Sequence, residues 1–203
     1  GVSDVNTVTL KPAAGNNAVI RIPAARGETD ILRVDHGNYF ILDGSNNGST
    51  SRNLTIDAES GSLSRYGVNI LGGIGYINSI IIKNCHIIGA TNTTATTGIN
   101  CGSSSAPFAS EDLLVANNLI EKCANGIIIG SNALYHAGTI IRDNVIGSTL
   151  HENFVTCVGI QVSGIATGQI SGNRIFNIDT DESWSVYGIK TGHNVDGLLP
   201  EKN

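Results

Sequence analysis

The chain has 203 residues, 40% of them hydrophobic and only 14% charged, with 25 Gly, 4 Pro and a net charge of -5. That is enough apolar material for one sizeable core, and too much of it at too low a net charge for a disordered chain. With 12 Lys and Arg together and 5% aromatics, there is no basic field for a phosphate backbone and little surface for stacking bases. The longest apolar runs, such as Ile80-Ile81-Ile82, Leu113 to Ala116 and Ile127-Ile128-Ile129, fall far short of the roughly 20 residues that span a bilayer. Neither a nucleic-acid partner nor a membrane span is expected.

Taken in chain order, the first sixty residues predict short strands at Val8 to Leu10, Ala18 to Ile22, Ile31 to Val34, Tyr39 to Leu42 and Leu54 to Ile56. Pro12, Gly15-Asn16-Asn17, Pro23, the run from Asp43 to Gly48, and Gly61 supply the breaks between them. From Gly67 a repeat emerges: Gly67-Val68-Asn69-Ile70, Gly98-Ile99-Asn100-Cys101, Gly126-Ile127-Ile128-Ile129, Gly159-Ile160-Gln161-Val162 and Gly188-Ile189-Lys190-Thr191, at separations of 31, 28, 33 and 29 residues. Apolar residues at the first and third positions after most of these glycines, with Asn69, Asn100, Ile128, Gln161 and Lys190 between them, have the period of a strand buried on one face.

A second series interleaves with the first: Ile82-x-x-Cys85-x-Ile87, Val115-x-x-Asn118-x-Ile120, Ile141-x-x-Asn144-x-Ile146 and Ile170-x-x-Asn173-x-Ile175. Ile80, Leu113 and Thr139 extend the alternation upstream, so each unit reads as a strand, a bend and a second short strand. The asparagine is expected at the bend, because its side chain tolerates left-handed backbone and bonds nearby peptide groups.

Strands recurring about every thirty residues through loops of unequal length describe a coil whose turns stack on one another. A sandwich or propeller would use tight antiparallel hairpins and would not keep one register through such loops. The predicted fold is all-β, a right-handed parallel β-helix of about seven rungs, one domain over residues 1–203. Ile, Val and Leu fill its core, and Asn118, Asn144 and Asn173 form an internal ladder. In this register Cys85 takes a ladder position and Cys101 an inward apolar one, so both are core residues. Cys123 and Cys157 fall on adjacent rungs, a placement open to a disulfide, which would imply an oxidising compartment. Outward Ile81, Leu114, Ile140 and Ile128 are expected to align as an apolar stripe that marks a contact or lies under other parts of the protein. The absence of any Met and the start at Gly1-Val2 lead to the expectation of an internal piece of a longer protein.

These repeats resemble the right-handed parallel β-helix proteins of the pectin-lyase-like superfamily, over nearly the whole chain. More narrowly, Thr9 to Gly15, Tyr39 to Gly48, Arg52 to Ile56, Ile82 to Ala90 and Ile170 to Ile178 are similar to β-helical regions of very large secreted bacterial surface proteins, many of them exported by the type IX pathway. The resemblance implies an extracellular or cell-surface location and, as partners, the remaining domains of the parent protein, secretion machinery or surface glycans. It also brings in polysaccharide lyases and glycoside hydrolases, whose chemistry needs clustered carboxylates.

No such cluster is legible. The outward pairs Ile81/Lys83, Leu114/Ala116, Ile140/Arg142 and Gln169/Ser171 contain no carboxylate, and the other outward charges read as mostly single. Gly192-His193-Asn194 lacks the second Gly and the acidic partners of the pectin-degrading hydrolases. Asp179-Thr180-Asp181-Glu182 is the densest acidic stretch and lacks the ligand spacing of an EF-hand loop. His36, His86, His136, His151 and His193 are scattered and read as surface or loop residues. No catalytic, cofactor-binding or metal-binding residue is assigned and no cofactor is expected. The expected function is a non-catalytic structural or adhesive segment. The alternatives are a carbohydrate-active enzyme and an adhesin holding glycans on loops such as Thr91 to Thr97.

Overall fold

The computed structural model describes residues 2–23, 30–58, 66–72, 75–90, 96–103, 108–131, 134–179 and 185–200. Strands β1 (Val8–Leu10), β2 (Ala18–Ile22) and β3 (Asp30–Asp35) begin the coil, and β4 (Phe40–Asp43), β5 (Leu54–Ala58) and β6 (Tyr66–Leu71) lie on them. Next come β7 (Gly75–Lys83), β8 (Cys85–Ile88) and β9 (Thr97–Ser103), followed by β10 (Phe108–Ala116), β11 (Leu119–Glu121) and β12 (Cys123–Ser131). The last strands are β13 (Thr139–Arg142), β14 (Val145–Ile146), β15 (Val155–Val162), β16 (Gly168–Ser171), β17 (Arg174–Ile175), β18 (Tyr187–Thr191) and β19 (Leu198–Pro200).

Every third strand joins the same parallel sheet. The first sheet runs β1-β4-β7-β10-β13-β16-β19, and the second and third hold six strands each, from β2 to β17 and from β3 to β18. The protein is therefore a parallel β-solenoid. Six stacked strands enclose about five turns of coil, so the sequence estimate of about seven rungs is slightly high. The strands expected in the first sixty residues are all present, within one or two residues at their ends.

Inward residues of the three sheets make one hydrophobic cluster running from Ile31 to Ile170. Val68, Ile70, Ile99, Cys101, Ile127, Ile129, Ile160 and Val162, the residues flanking the middle position of each Gly repeat, are all fully buried. The glycines themselves mark a close approach between sheets. A Cβ on Gly126 would sit 2.5 Å from the Gly159 carbonyl oxygen of the next turn and 2.7 Å from Cγ2 of Ile146 on the second sheet. The same two kinds of neighbour, the next glycine's carbonyl and an isoleucine of the second sheet, crowd Gly67, Gly98 and Gly159. The recurring Gly is thus required by space, since no larger residue fits between an inward Ile and the strand above.

The asparagine ladder is present. The Asn118 N–H and side-chain amide both donate to Asn144 Oδ1, at 3.0 Å each, and the corresponding groups of Asn144 donate to Asn173 Oδ1 at 3.1 and 2.9 Å. Each side-chain amide also donates to a carbonyl of the preceding turn, that of Ile82, Val115 or Ile141. Cys85 takes the ladder position one turn earlier, and its N–H donates to Asn118 Oδ1 at 3.0 Å. One expectation is corrected. The left-handed residue of the bend is the one before the ladder position, namely Asn84 (φ 59°), Asn117 (φ 51°), Asp143 (φ 57°) and Gly172 (φ 63°). The residue after it is buried in the core, where an asparagine, with both donor and acceptor, satisfies the peptide groups the corner leaves over.

Beyond the expected alternation, β7 and β10 continue upstream through left-handed residues at Ser79 (φ 53°) and Asp112 (φ 57°). The extension pairs Ile77 with Ser110 and brings residues 136 and 137 alongside as isolated bridges to Ile165 and Glu111. His136, read from the sequence as a surface or loop residue, is consequently 0% exposed. His86 is also half-buried, on β8, while His36, His151 and His193 are exposed.

All four cysteines are free thiols. Cys123 faces inward opposite Val155, and a bulge between the pairs Cys123–Val155 and Asn125–Val158 displaces Cys157 from the matching position. The two therefore do not form the disulfide that their spacing left open. Burial pushes the Cys85, Cys101 and Cys123 thiols up to about 12; it also raises the Cys157 thiol, but Cys157 is only half-buried and so accessible to reagent. Since the thiolate is the reactive species, Cys157 alone is expected to react with a disulfide-exchange reagent in the native protein. Three more thiols should appear only on unfolding, and native labelling of a second thiol, checked by mass spectrometry, would contradict the buried placement.

Candidate functional site

The outer face of the first sheet carries the expected apolar stripe, with one addition and one loss. Ile41, Ile81, Leu114 and Ile140 are directly paired across β4, β7, β10 and β13, so their side chains stand one above another outside the coil. Ile41 was not anticipated, because the first sixty residues show no repeat strong enough to set their register. Ile128 is not part of the stripe. It lies on the third sheet, between Asn100 and Gln161. The stripe ends at Thr9 on one side and Gln169 on the other. All four of its residues are half-buried rather than fully exposed.

The next outward column on the same sheet is Asp43, Lys83, Ala116, Arg142 and Ser171. Lys83 Nζ lies 3.2 Å from Asp43 Oδ2. The other Asp43 oxygen accepts from the Asn84 amide at 2.7 Å and the Ser45 N–H at 3.0 Å. Burial pushes the Asp43 carboxyl up, but these bonds and Lys83 outweigh it and hold the group below its ordinary value. The segment after Asp43 folds back over the corner. Arg52 Nε and Nη2 donate to the Asn117 carbonyl at 2.8 Å and to Asn117 Oδ1 at 2.9 Å. The Asn117 amide in turn donates to the Thr50 carbonyl and to Asn84 Oδ1.

Several other outward charges come in opposite pairs. Arg21 holds Asp57, Arg33 holds Asp35 at 2.8 Å, and Arg142 holds Asp143 at 2.7 Å. On the second sheet His86 Nε2 lies 3.0 Å from Glu121 Oε1, and this bond more than offsets burial in keeping the Glu121 carboxyl below its usual range. On the third sheet outward Asn69 and Asn100 are buried, linked by a 2.8 Å bond, and Asn69 donates to Asp30.

Among the described residues no three His, Cys, Asp or Glu side chains come together as a metal site, and no helix is long and apolar enough to cross a membrane. Residues 180–182 of the acidic stretch and residues 91–95 of the glycan-loop candidate lie outside the described residues. The surface offers a short apolar ridge along the coil axis, bordered by Lys83 and Arg142, and a set of mutually neutralised ion pairs. Comparison with known proteins adds no assignment: no protein-family model, curated protein or solved structure matches the chain. The class is set by the strand topology alone.

Proposed function

We propose that this chain is a rigid, non-catalytic structural or adhesive segment of a secreted or cell-surface bacterial protein, one that spaces or presents binding surfaces. Its resemblance to the pectin-lyase-like superfamily and to type IX-exported surface proteins belongs to the same proposal. So do its partners, which would be the remaining domains of a longer parent, secretion machinery or surface glycans.

The observation that carries the reading is the interior. Three sheets keep register from turn to turn, and a buried amide ladder crosslinks them along the axis. Stacked at about 4.8 Å per strand, such a coil holds its outer residues at fixed spacing whatever the lengths of the loops between strands. Several outward carboxylates are tied to cations, as in Lys83–Asp43 and Arg21–Asp57, an arrangement that suits a stable surface better than acid–base chemistry.

A second reading, a glycan-binding adhesin or carbohydrate-active enzyme, draws support from the apolar ridge of Ile41, Ile81, Leu114 and Ile140. The deciding experiment incubates the protein with acidic and neutral polysaccharides, with and without calcium, beside a glycan array. The scaffold reading expects no cleavage in any arm, and turnover abolished by calcium removal would replace it with the enzyme reading. Array binding without turnover, weakened by Ile81→Asp, would select the adhesive form.

A further inference from the structure

His136 lies inside the solenoid, where a charge on its ring has no water to meet it. Its Nδ1 is 3.0 Å from the backbone nitrogen of Ser110 and 2.8 Å from Ser110 Oγ. A backbone N–H only donates, so Nδ1 carries the lone pair and the ring is the neutral tautomer protonated at Nε2. The backbone around it joins three turns. The His136 N–H donates to the Gly164 carbonyl at 2.7 Å, and the His136 carbonyl accepts from Ala166 at 2.8 Å. The Ala137 N–H donates to the Ser110 carbonyl at 2.9 Å, and the Ala137 carbonyl accepts from Asp112 at 3.0 Å.

We propose that residues 134–138 form an acid-released latch, in which a proton taken from solvent by Nδ1 of His136 breaks the bond from the Ser110 N–H and frees the segment from β10 and from residues 164–166. Two donors then face each other at 3.0 Å, and moving the ring to water relieves that opposition and solvates the new charge. Release uncovers the inward residues Ser110 and Ile165, both fully buried in the closed coil.

The proton affinity agrees with the geometry. Burial pulls His136 from 6.5 down to about 4, against a smaller opposing pull from the Gly130 carbonyl. The open segment thus binds a proton near 6.5 and the closed one only near 4. Between those values the open form holds more protons, so acid favours opening and the closed state is fully stabilised only above about 6.5. The ionisable side chains on the elements packed against it are Cys101 on β9, Glu111 and Asp112 on β10, and Cys123 on β12. Tyr135 precedes it, and His193 lies behind Gly164 through its carbonyl. Cys101 and Cys123 have thiols pushed up to about 12 and stay neutral throughout this range, and Glu111 and Asp112 are exposed to solvent.

The test is amide hydrogen exchange of the intact chain, corrected for intrinsic rates, between about pH 7.5 and about pH 5. Protection at residues 136, 137 and 112 is expected to fall about 30-fold across this interval, while the ladder amides of Asn118 and Asn144 keep theirs. His136→Gln retains an acceptor and a donor but has no titrating nitrogen, so its protection should match the parent at neutral pH and stay flat on acidification. Flat protection in the parent, or an equal fall in the Gln variant, overturns the proposal. If that variant does not fold, the imidazole proton resonances of the parent decide. Titration near about 4, in step with the opening, supports the latch, and titration near about 6.5 without any change in protection refutes it.

Discussion

Gly126→Ala is expected to destabilise the protein by about 3 kcal/mol, lowering the thermal midpoint by about 6–12 °C for a chain of this size. Gly188→Ala, at the same place in the repeat, should change stability by no more than about 0.5 kcal/mol. The contrast comes from what stands above each glycine. A Cβ on Gly126 meets the Gly159 carbonyl oxygen at 2.5 Å and Ile146 Cγ2 at 2.7 Å, and a Cβ on Gly188 meets nothing within 4 Å. Neither glycine has a left-handed backbone, so conformational strain does not separate them. A carbonyl locked in a parallel ladder has little room to retreat, whereas alanine at Gly188 only restricts the unfolded chain. Equal effects at the two sites, measured by denaturant unfolding, would show that the crowding seen at Gly126 relaxes freely and that the Gly column has another origin.

Asn144→Leu should cost about 3 kcal/mol, although leucine has nearly the same volume and is more apolar. Four buried groups lose a partner at once: the Asn118 N–H and Asn118 side-chain amide lose the Asn144 acceptor, and the Val115 carbonyl and Asn173 Oδ1 lose the Asn144 amide donor. Cys85→Ala, two ladder positions before Asn144, keeps the backbone N–H bond to Asn118 Oδ1 at 3.0 Å and should cost only about 1 kcal/mol. An unchanged unfolding midpoint for Asn144→Leu would mean that the ladder contributes order without stability. Together with Gly126, the experiment separates the two devices that join one turn to the next: shape at the third sheet and hydrogen bonding at the corner between the first two.

Most of the solenoid was legible because its physics is periodic. Val68/Ile70, Ile99/Cys101, Ile127/Ile129 and Ile160/Val162 alternate with outward residues, polar except for Ile128, and such a pattern favours one inward face and one register. The ladder was legible for the same reason, since Asn118, Asn144 and Asn173 recur at one position in a strand–bend–strand unit. Even the place of Cys85 and Cys101 in the core followed from the repeat.

What the repeat does not encode, only the fold decided. That Ile41 heads the stripe and Asp43 faces Lys83 depends on stacking β4 under β7, and the irregular loops of the first turns hide that register. That the left-handed residue is Asn117 or Asp143 rather than its successor depends on backbone angles that Asn and Asp at adjacent positions satisfy equally well in sequence, whereas Asn84-Cys85 and Gly172-Asn173 already favour the first position. His136 was invisible because it belongs to no repeat. It is buried where residues 136 and 137 bridge between Ile165 and Glu111, the latter on the upstream extension of β10. Periodicity specifies which residues face the core within a strand, and three-dimensional stacking alone specifies which irregular segment closes over it.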